Sequence, residues 1–110
     1  MTIKQKTLLF LISCDPGIRD IYKMVKVYHR ACLTFEITEN LQPLLDNNLI
    51  VVSKYFDNKT ANKYEITENG KEFLSNNFND NEAIHFIKTL DDPDQLLMIT
   101  QGYIDRKNGR

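Results

Sequence analysis

The side chains that could ligate a metal or act as nucleophiles are few in this chain and far apart. His29 and Cys32 are separated by three positions, and Cys14 is the only other cysteine in the chain. Structural zinc needs four ligands in closely spaced pairs, and this chain offers a single pair. Nucleophilic catalysis needs a cysteine or serine beside a base that a third group orients, and no such motif surrounds His85. The four glycines are not clustered into a phosphate-binding loop. The sequence predicts no metal site, no cofactor and no enzymatic activity.

Cationic side chains instead gather in two places. One is a polar stretch around residues 54–63, where lysines alternate with asparagine and threonine. The other is the outer face of an amphipathic helix that follows residue 16. Such side chains suit contacts with phosphate and sugar, which position a protein on nucleic acid without reading its sequence. The predicted phosphate contacts are Lys54, Lys59, Asn62, Lys63, Arg19, Lys23, Lys26 and Arg30.

The element that organises the chain runs from residue 41 to residue 74. Leucines at helical spacing are followed by Asn47 and Asn48, which tolerate the left-handed conformation of a helix C-terminus. An apolar run at 49–52 and the alternating residues 64–66 predict strands, and the polar residues 57–62 between them predict a hairpin loop. Thr67 is suited to cap the helix that follows.

This order of elements resembles the winged helix-turn-helix superfamily, in its PadR-like and MarR-like bacterial branches, over roughly residues 5–75. The likeness is specific at two motifs, Leu44-x-x-x-x-Leu49-Ile50 and Tyr64-x-Ile66-Thr67-x-x-Gly70-x-x-x-Leu74. It implies that the hairpin is the wing and that the helix before it is the recognition helix. A glycine in the first turn of the last helix predicts close packing on the preceding strand or the base of the wing. On the recognition helix, the predicted base contacts are Thr38, Asn40 and Gln42.

The recognition helix departs from what the resemblance implies. Residues 34–48 contain no Lys or Arg, and they include Glu36, Glu39 and Asp46. Carboxylates on this helix would face the negative potential of a DNA groove. A second hypothesis follows, in which the domain binds another protein and has lost DNA affinity. Pro43 is a further conflict, because an interior proline removes a helix hydrogen bond.

Upstream of this region, residues 4–13 predict a helix buried on most sides. Asp15 and Pro16 are then expected to cap and begin the next helix. Its apolar face would be Ile18, Ile21, Tyr22, Val25 and Tyr28. Residues 31–38 suit either a short strand or a turn, and Thr34 or Thr38 would cap the helix that follows.

Downstream, residues 75–81 read as a polar connector. Residues 82–90 predict an amphipathic helix, and Asp92-Pro93 a cap and first residue for the last one, which Asn108-Gly109 ends. If a winged helix closes its core by about residue 75, these helices need another role. One is pairing with a second subunit; the other is folding back on the first helix. The charged residues between 75 and 105 are acidic except for Lys88, whereas basic residues outnumber acidic ones among the first thirty residues.

Composition bounds these interpretations. The chain has 110 residues, a net charge of −1 and no apolar run long enough to span a membrane. Two cysteines do not make a disulfide framework and favour a cytoplasmic chain. We therefore expect an α+β, mostly α fold: a winged-helix domain at 1–76 and a helical extension at 77–110. The expected partners are duplex DNA, a second copy of the chain, or another protein. The predicted dimerisation residues are Leu96, Leu97, Ile99, Tyr103 and Ile104.

Overall fold

A computed structural model describes residues 1–34 and 36–109. It contains six helices and one antiparallel pair of strands, so the expectation of an α+β, mostly helical chain is confirmed at that level. The elements are α1 (Ile3–Ser13), α2 (Ile21–Arg30), α3 (Ile37–Asp46), β1 (Ile50–Tyr55), β2 (Ala61–Ile66), α4 (Glu68–Asn77), α5 (Asp80–Ile87) and α6 (Asp94–Lys107).

Helix α1 is the centre of the fold. A capping box between Thr2 and Gln5 begins it, and every residue from Thr7 to Ile12 is buried. Contacts from α1 reach α3, α4, α5 and β2. A helix covered on all sides in this way is apolar all round, which is the pattern that its sequence predicted. That prediction is confirmed.

The start of α2 differs from the prediction. Asp20, not Asp15, is the N-cap, and its carboxylate accepts a hydrogen bond from the Lys23 amide at 2.8 Å. The preceding turn passes through Gly17 at φ +75°, where an added Cβ would lie 2.4 Å from the Cys14 carbonyl oxygen. Only glycine fits such a turn without strain. The residues expected to form the first turn of the helix therefore lie in this preceding turn, and α2 begins later, at Ile21.

The buried face of α2 is also rotated from the predicted one. Met24, Val27 and Tyr28 are buried and face β2 and α6. Tyr22 and Val25, expected in the core, are 71% and 42% exposed. The apolar residues of α2 cover more than one face, so their spacing alone did not select the buried one.

Between α2 and α3 the chain forms a turn that buries Leu33 and Thr34, and Phe35 lies outside the described residues. Neither Thr34 nor Thr38 is the N-cap of α3, which is Glu36, without a side-chain cap bond. The Thr34 hydroxyl instead accepts from the Glu36 amide at 3.2 Å. Pro43 lies inside α3, so the conflict noted from the sequence between this proline and the helix is present in the structure.

The hairpin follows α3 directly. Asn48 adopts φ +58°, so the predicted left-handed helix end is confirmed. Ile50 pairs with Ile66 and Val52 with Tyr64, and the register shifts between Val52 and Tyr55. Both strands extend further toward the tip than the predicted ranges, 49–52 and 64–66.

The extended residues just before α2 lie along the free edge of β2. Asp20 forms an isolated antiparallel bridge with Lys63, and the Arg19 carbonyl accepts from the Tyr64 amide at 2.9 Å. This pairing fixes the start of α2 against the hairpin.

Helix α4 confirms two predictions. Thr67 caps it, with its hydroxyl accepting from the Gly70 amide at 3.0 Å. At Gly70 a Cβ would lie 2.2 Å from the Leu49 carbonyl oxygen and 2.6 Å from Ile66 Cγ1. The first turn of α4 therefore packs directly on the base of the hairpin, and glycine permits that approach.

The C-terminal helices share the core of the rest of the chain. Helix α4 runs into the predicted connector, and Phe78, also in that connector, is buried against Phe10 with ring centroids 6.1 Å apart. An Asn79–Glu82 capping box begins α5, whereas α6 has Pro93, not Asp92, at its N-cap. One cluster of buried residues includes side chains from α1 to α6. The buried core therefore continues past residue 75 into the last two helices.

Candidate nucleic-acid interface

The tip of the hairpin is held by local hydrogen bonds. The Phe56 amide donates to the Thr60 carbonyl at 2.9 Å, and the Lys59 amide donates to the Phe56 carbonyl at 2.8 Å. Asn58 Oδ1 accepts from both the amide and the hydroxyl of Thr60. Lys59 adopts φ +69° within this turn and its side chain is exposed. The tip thus presents a lysine from an ordered turn.

The hairpin tip contacts the outer side of α2. The rings of Tyr22 and Phe56 meet edge to face, with centroids 5.5 Å apart and planes at 86°. Lys26 follows Tyr22 by one helical turn and is exposed. Lys59 lies in the same turn as Phe56, so each ring of the pair has an exposed cation close to it in sequence on its own element. We group the aromatic pair with the exposed cations of α2 and of the hairpin and call the group the α2–wing surface. Its residues are Tyr22, Lys26, Arg30, Lys54, Phe56 and Lys59, of which all but Phe56 are exposed.

The other cations predicted to contact phosphate, Arg19, Lys23 and Lys63, make contacts within the fold. The Arg19 guanidinium donates to the Ile12 carbonyl at 2.9 Å and the Cys14 carbonyl at 2.8 Å, and lies 3.5 Å from the Glu65 carboxylate. Three contacts hold this side chain inside the fold, where it joins the end of α1 to β2. These contacts occupy the guanidinium that was predicted to bind phosphate.

Lys23 is turned toward α6. Its ammonium donates to the Tyr103 hydroxyl at 3.1 Å and the Gly17 carbonyl at 3.4 Å, and lies 5.8 Å from the centre of the Tyr103 ring. These contacts direct the ammonium toward α6 and away from the outer face of α2, where the predicted phosphate contact would lie. On β2, Lys63 is 44% exposed and lies 3.9 Å from Glu65, and Asn62 is partly buried.

The three residues predicted to read bases have different surroundings. Thr38 is exposed on α3. Asn40 donates through its amide to the Thr34 hydroxyl at 2.7 Å and the Glu36 carbonyl at 2.8 Å. Gln42 donates to the Asp46 carboxylate at 2.8 Å. Both side-chain amides of this set, those of Asn40 and Gln42, are therefore occupied by local contacts.

The predicted dimerisation residues are mostly internal. Leu96, Tyr103 and Ile104 are buried in the core of the same chain, and Leu97 and Ile99 are partly buried. The three buried side chains are not available to a second subunit in this conformation. The alternative, that the last helix folds back on the chain, describes them, although α6 packs on α2 and α5 and not chiefly on α1.

One exposed aromatic residue of this region, Tyr22, was not predicted from the sequence to lie on the surface. Tyr55 is 60% exposed on β1 and Tyr22 is 71% exposed on α2. The clue was present for Tyr22, because it lies between Arg19 and Lys26 in the charged part of the helix.

Titratable groups with shifted pKa values lie away from the α2–wing surface. Burial raises the pKa of the Cys14 thiol to about 11, so the thiol is protonated at neutral pH. Burial also raises the pKa of Tyr64, with a smaller effect from Tyr55. Within residues 1–34 and 36–109, no three His, Cys, Asp or Glu side chains are grouped as metal ligands would be.

Across the same described residues, no helix combines the length and the apolar character that crossing a bilayer requires. Comparisons of the chain with family models, with curated proteins and with solved structures find no match.

Proposed function

We propose that this chain is a winged-helix protein that binds duplex DNA and acts as a transcriptional regulator without a cofactor. The observation that carries the proposal is the contact between Tyr22 and Phe56, because it brings together α2 and the hairpin tip, each of which carries exposed cations. The order α2, turn, α3, hairpin supports it, since this is the order that the resemblance to winged helices implies.

In this proposal phosphate contacts dominate. Lys26, Arg30, Lys54 and Lys59 are exposed and supply them, with Lys63 at the margin. Each phosphate that they neutralise makes the binding constant fall with salt by about 0.9 in log–log slope. Asp57 is the acidic residue of the tip, and its charge offsets part of this attraction.

Base reading has a smaller part than the sequence suggested. Thr38 is exposed, whereas Asn40 and Gln42 would first have to release their hydrogen bonds to neighbouring groups. A bidentate amide–adenine pair contributes about 1–3 kcal/mol of discrimination, and much of that gain would be offset here. We propose weak sequence preference for the isolated chain.

Dimerisation is also part of the proposal, with fewer residues than the sequence predicted. A dimer would place two hairpins on successive half-sites of a duplex. Leu97 and Ile99 are the predicted residues that keep part of their surface exposed. A cytoplasmic location is likewise proposed, and the free thiols of Cys14 and Cys32 are compatible with it.

The test compares two charge-reversal variants of equal charge change. Lys26→Glu with Lys59→Glu alters the α2–wing surface on both of its elements. Lys71→Glu with Lys88→Glu alters two exposed lysines elsewhere and is the control. Binding to a mixed-sequence duplex is followed by fluorescence anisotropy at low salt. The first variant should bind at least tenfold more weakly than the control, with both equally stable to heat.

A second candidate function is supported by α3. Its exposed side carries Glu36, Glu39 and Asp46 and no Lys or Arg. Such a face suits a basic segment of another protein better than a DNA groove. If the wild-type chain does not bind duplex DNA at low salt, while a lysine-rich peptide binds and Glu36→Gln with Glu39→Gln weakens it, this candidate replaces the first.

A further inference from the structure

A cavity of about 330 Å³ lies between the C-terminal end of α1 and the C-terminal end of α6, away from the α2–wing surface. Its apolar wall consists of Phe10, Tyr103 and Ile104, and its polar side includes Arg106 and Lys107. Sites for small ligands are concave and mostly apolar, with a few polar groups that orient the ligand, and volumes from about 300 Å³ upward are typical. The cavity has this character at the lower end of the size range.

The two cations at the cavity differ in their partners. Lys107 is paired, with its ammonium 2.6 Å from the Asp80 carboxylate and 5.8 Å from the centre of the Phe10 ring. Arg106 makes one long contact, 3.5 Å from Nη1 to the Asp15 carbonyl oxygen. Among the described residues no carboxylate lies within salt-bridge distance of this guanidinium. Arginine binds carboxylates through two parallel hydrogen bonds, and Arg106 has that capacity unused.

Hydroxyl groups near the apolar wall add hydrogen-bonding capacity. The Tyr103 hydroxyl accepts from Lys23 at 3.1 Å, which leaves its own hydrogen available for donation. Tyr28 is fully buried, and its hydroxyl has no partner among the described residues. Tyr103 and Cys14 are the two groups whose charges, after burial, raise the pKa of Tyr28, and both line the cavity. A buried hydroxyl without a partner is uncommon in folded proteins.

We propose that this cavity binds a small organic monocarboxylate, with its apolar body against Phe10, Tyr103 and Ile104 and its carboxylate on Arg106. The charge of Arg106 selects an anion, and the size of the cavity restricts the ligand to a compact one. Asp15 also lines the cavity, and its carboxylate disfavours ligands that carry more than one negative charge. This site is independent of DNA binding, since none of its lining residues belongs to the α2–wing surface.

The two cysteines of the chain provide the test. Cys14 lines the cavity, whereas Cys32 is exposed on the turn before α3 and serves as a reference in the same molecule. Alkylation by iodoacetamide at pH 9 is followed at each cysteine by mass spectrometry. Hexanoate and benzoate are the probes, and hexanamide and benzamide are their uncharged counterparts. Saturating hexanoate or benzoate should slow alkylation of Cys14 at least fivefold without changing the rate at Cys32.

The variant Arg106→Gln should abolish that protection, whereas Arg30→Gln, on α2, should retain it. Both arginines are exposed, so circular dichroism should show both variants folded. Isothermal titration calorimetry with the same probes provides a readout that does not depend on thiol chemistry. The proposal is overturned if neither carboxylate protects Cys14 at 20 mM, if the amides protect equally well, or if Arg106→Gln retains protection.

Discussion

Gly70 shows how one residue fixes the junction between hairpin and helix. A Cβ at this position would meet the Leu49 carbonyl oxygen at 2.2 Å, and that oxygen already accepts from the Thr67 amide. Backbone atoms on both sides would have to move, which opposes the gain of about 1 kcal/mol that alanine brings to a helix. We predict that Gly70→Ala lowers the free energy of unfolding by about 2 kcal/mol in urea denaturation.

Gly102 is the matched control for this substitution. It also lies inside a helix, α6, but a Cβ there meets no atom within 4 Å. Gly102→Ala should therefore raise the free energy of unfolding by about 0.5–1 kcal/mol. Equal effects of the two substitutions would show that close packing at Gly70 is not what requires glycine.

Arg19 shows a limit of reading charge from sequence. Its position beside Lys23 and Lys26 suggested a row of phosphate contacts, and only the structure places carbonyl groups from the end of α1 around its guanidinium. Those carbonyls belong to Ile12 and Cys14, at the C-terminal end of α1. Carbonyl groups at a helix C-terminus have no helix amide to donate to them. Sequence patterns record that a cation is present but not which unpaired acceptors lie beside it.

At the scale of elements, Arg19 ties α1 to the hairpin. The side chain is 23% exposed, and its bonds to the Ile12 and Cys14 carbonyls involve a charged donor, a class that contributes about 1.5–3 kcal/mol each. Its ion pair with Glu65 is partly exposed and adds little. We predict that Arg19→Gln lowers the free energy of unfolding by about 2 kcal/mol, measured by urea denaturation.

Lys59→Gln gives the opposite expectation. Lys59 is exposed at the hairpin tip, so its loss should leave stability within about 0.5 kcal/mol of the wild type. The same change should weaken DNA binding, whereas folded Arg19→Gln should bind like the wild type. If Arg19→Gln is fully stable but does not bind DNA, the sequence-based assignment of Arg19 was right and its structural role is wrong.

The elements were predicted unevenly, and local chemistry explains why. The hairpin, the Thr67 cap and the left-handed Asn48 all depend on residues close in sequence, so their sequence signals are local. The start and rotation of α2 depend on where β2 and α6 pack. Tyr22 is as apolar in sequence as Tyr28, and only tertiary contacts bury one and expose the other.

At the scale of the molecule, the division at residue 76 does not correspond to separate cores. Phe78, Ala83, Ile87, Leu96, Tyr103 and Ile104 all belong to the cluster that also contains α1 and α2. Burying one large apolar side chain stabilises a fold by about 1.5–3 kcal/mol, and a domain has only about 5–15 kcal/mol in total. Loss of the last two helices therefore removes more than the fold can spare.

A fragment of residues 1–76 tests this point directly. We predict that it shows no cooperative thermal transition by circular dichroism, whereas the full chain does. Adding residues 77–110 as a separate peptide should restore a transition if the two parts associate. A cooperative transition of the fragment alone, near the melting temperature of the full chain, would show that the first part is an independent domain.

The central claim concerns the charge of the whole surface. The net charge of −1 gives no general attraction to DNA, so binding has to come from where the cations lie. The α2–wing surface gathers cations from two elements, while acidic residues prevail on α3 and around α5 and the start of α6. An uneven distribution of this kind can attract a phosphate backbone even though the sum of charges is slightly negative.

The most direct test is the salt dependence of binding to a mixed-sequence duplex, measured by fluorescence anisotropy. With four to five cations in contact with phosphate, the logarithm of the binding constant should fall with the logarithm of salt concentration with a slope of about −4. Lys26→Glu with Lys59→Glu should reduce the slope by about 2. No binding at low salt, or a slope that this variant leaves unchanged, would contradict the assignment of the α2–wing surface to DNA.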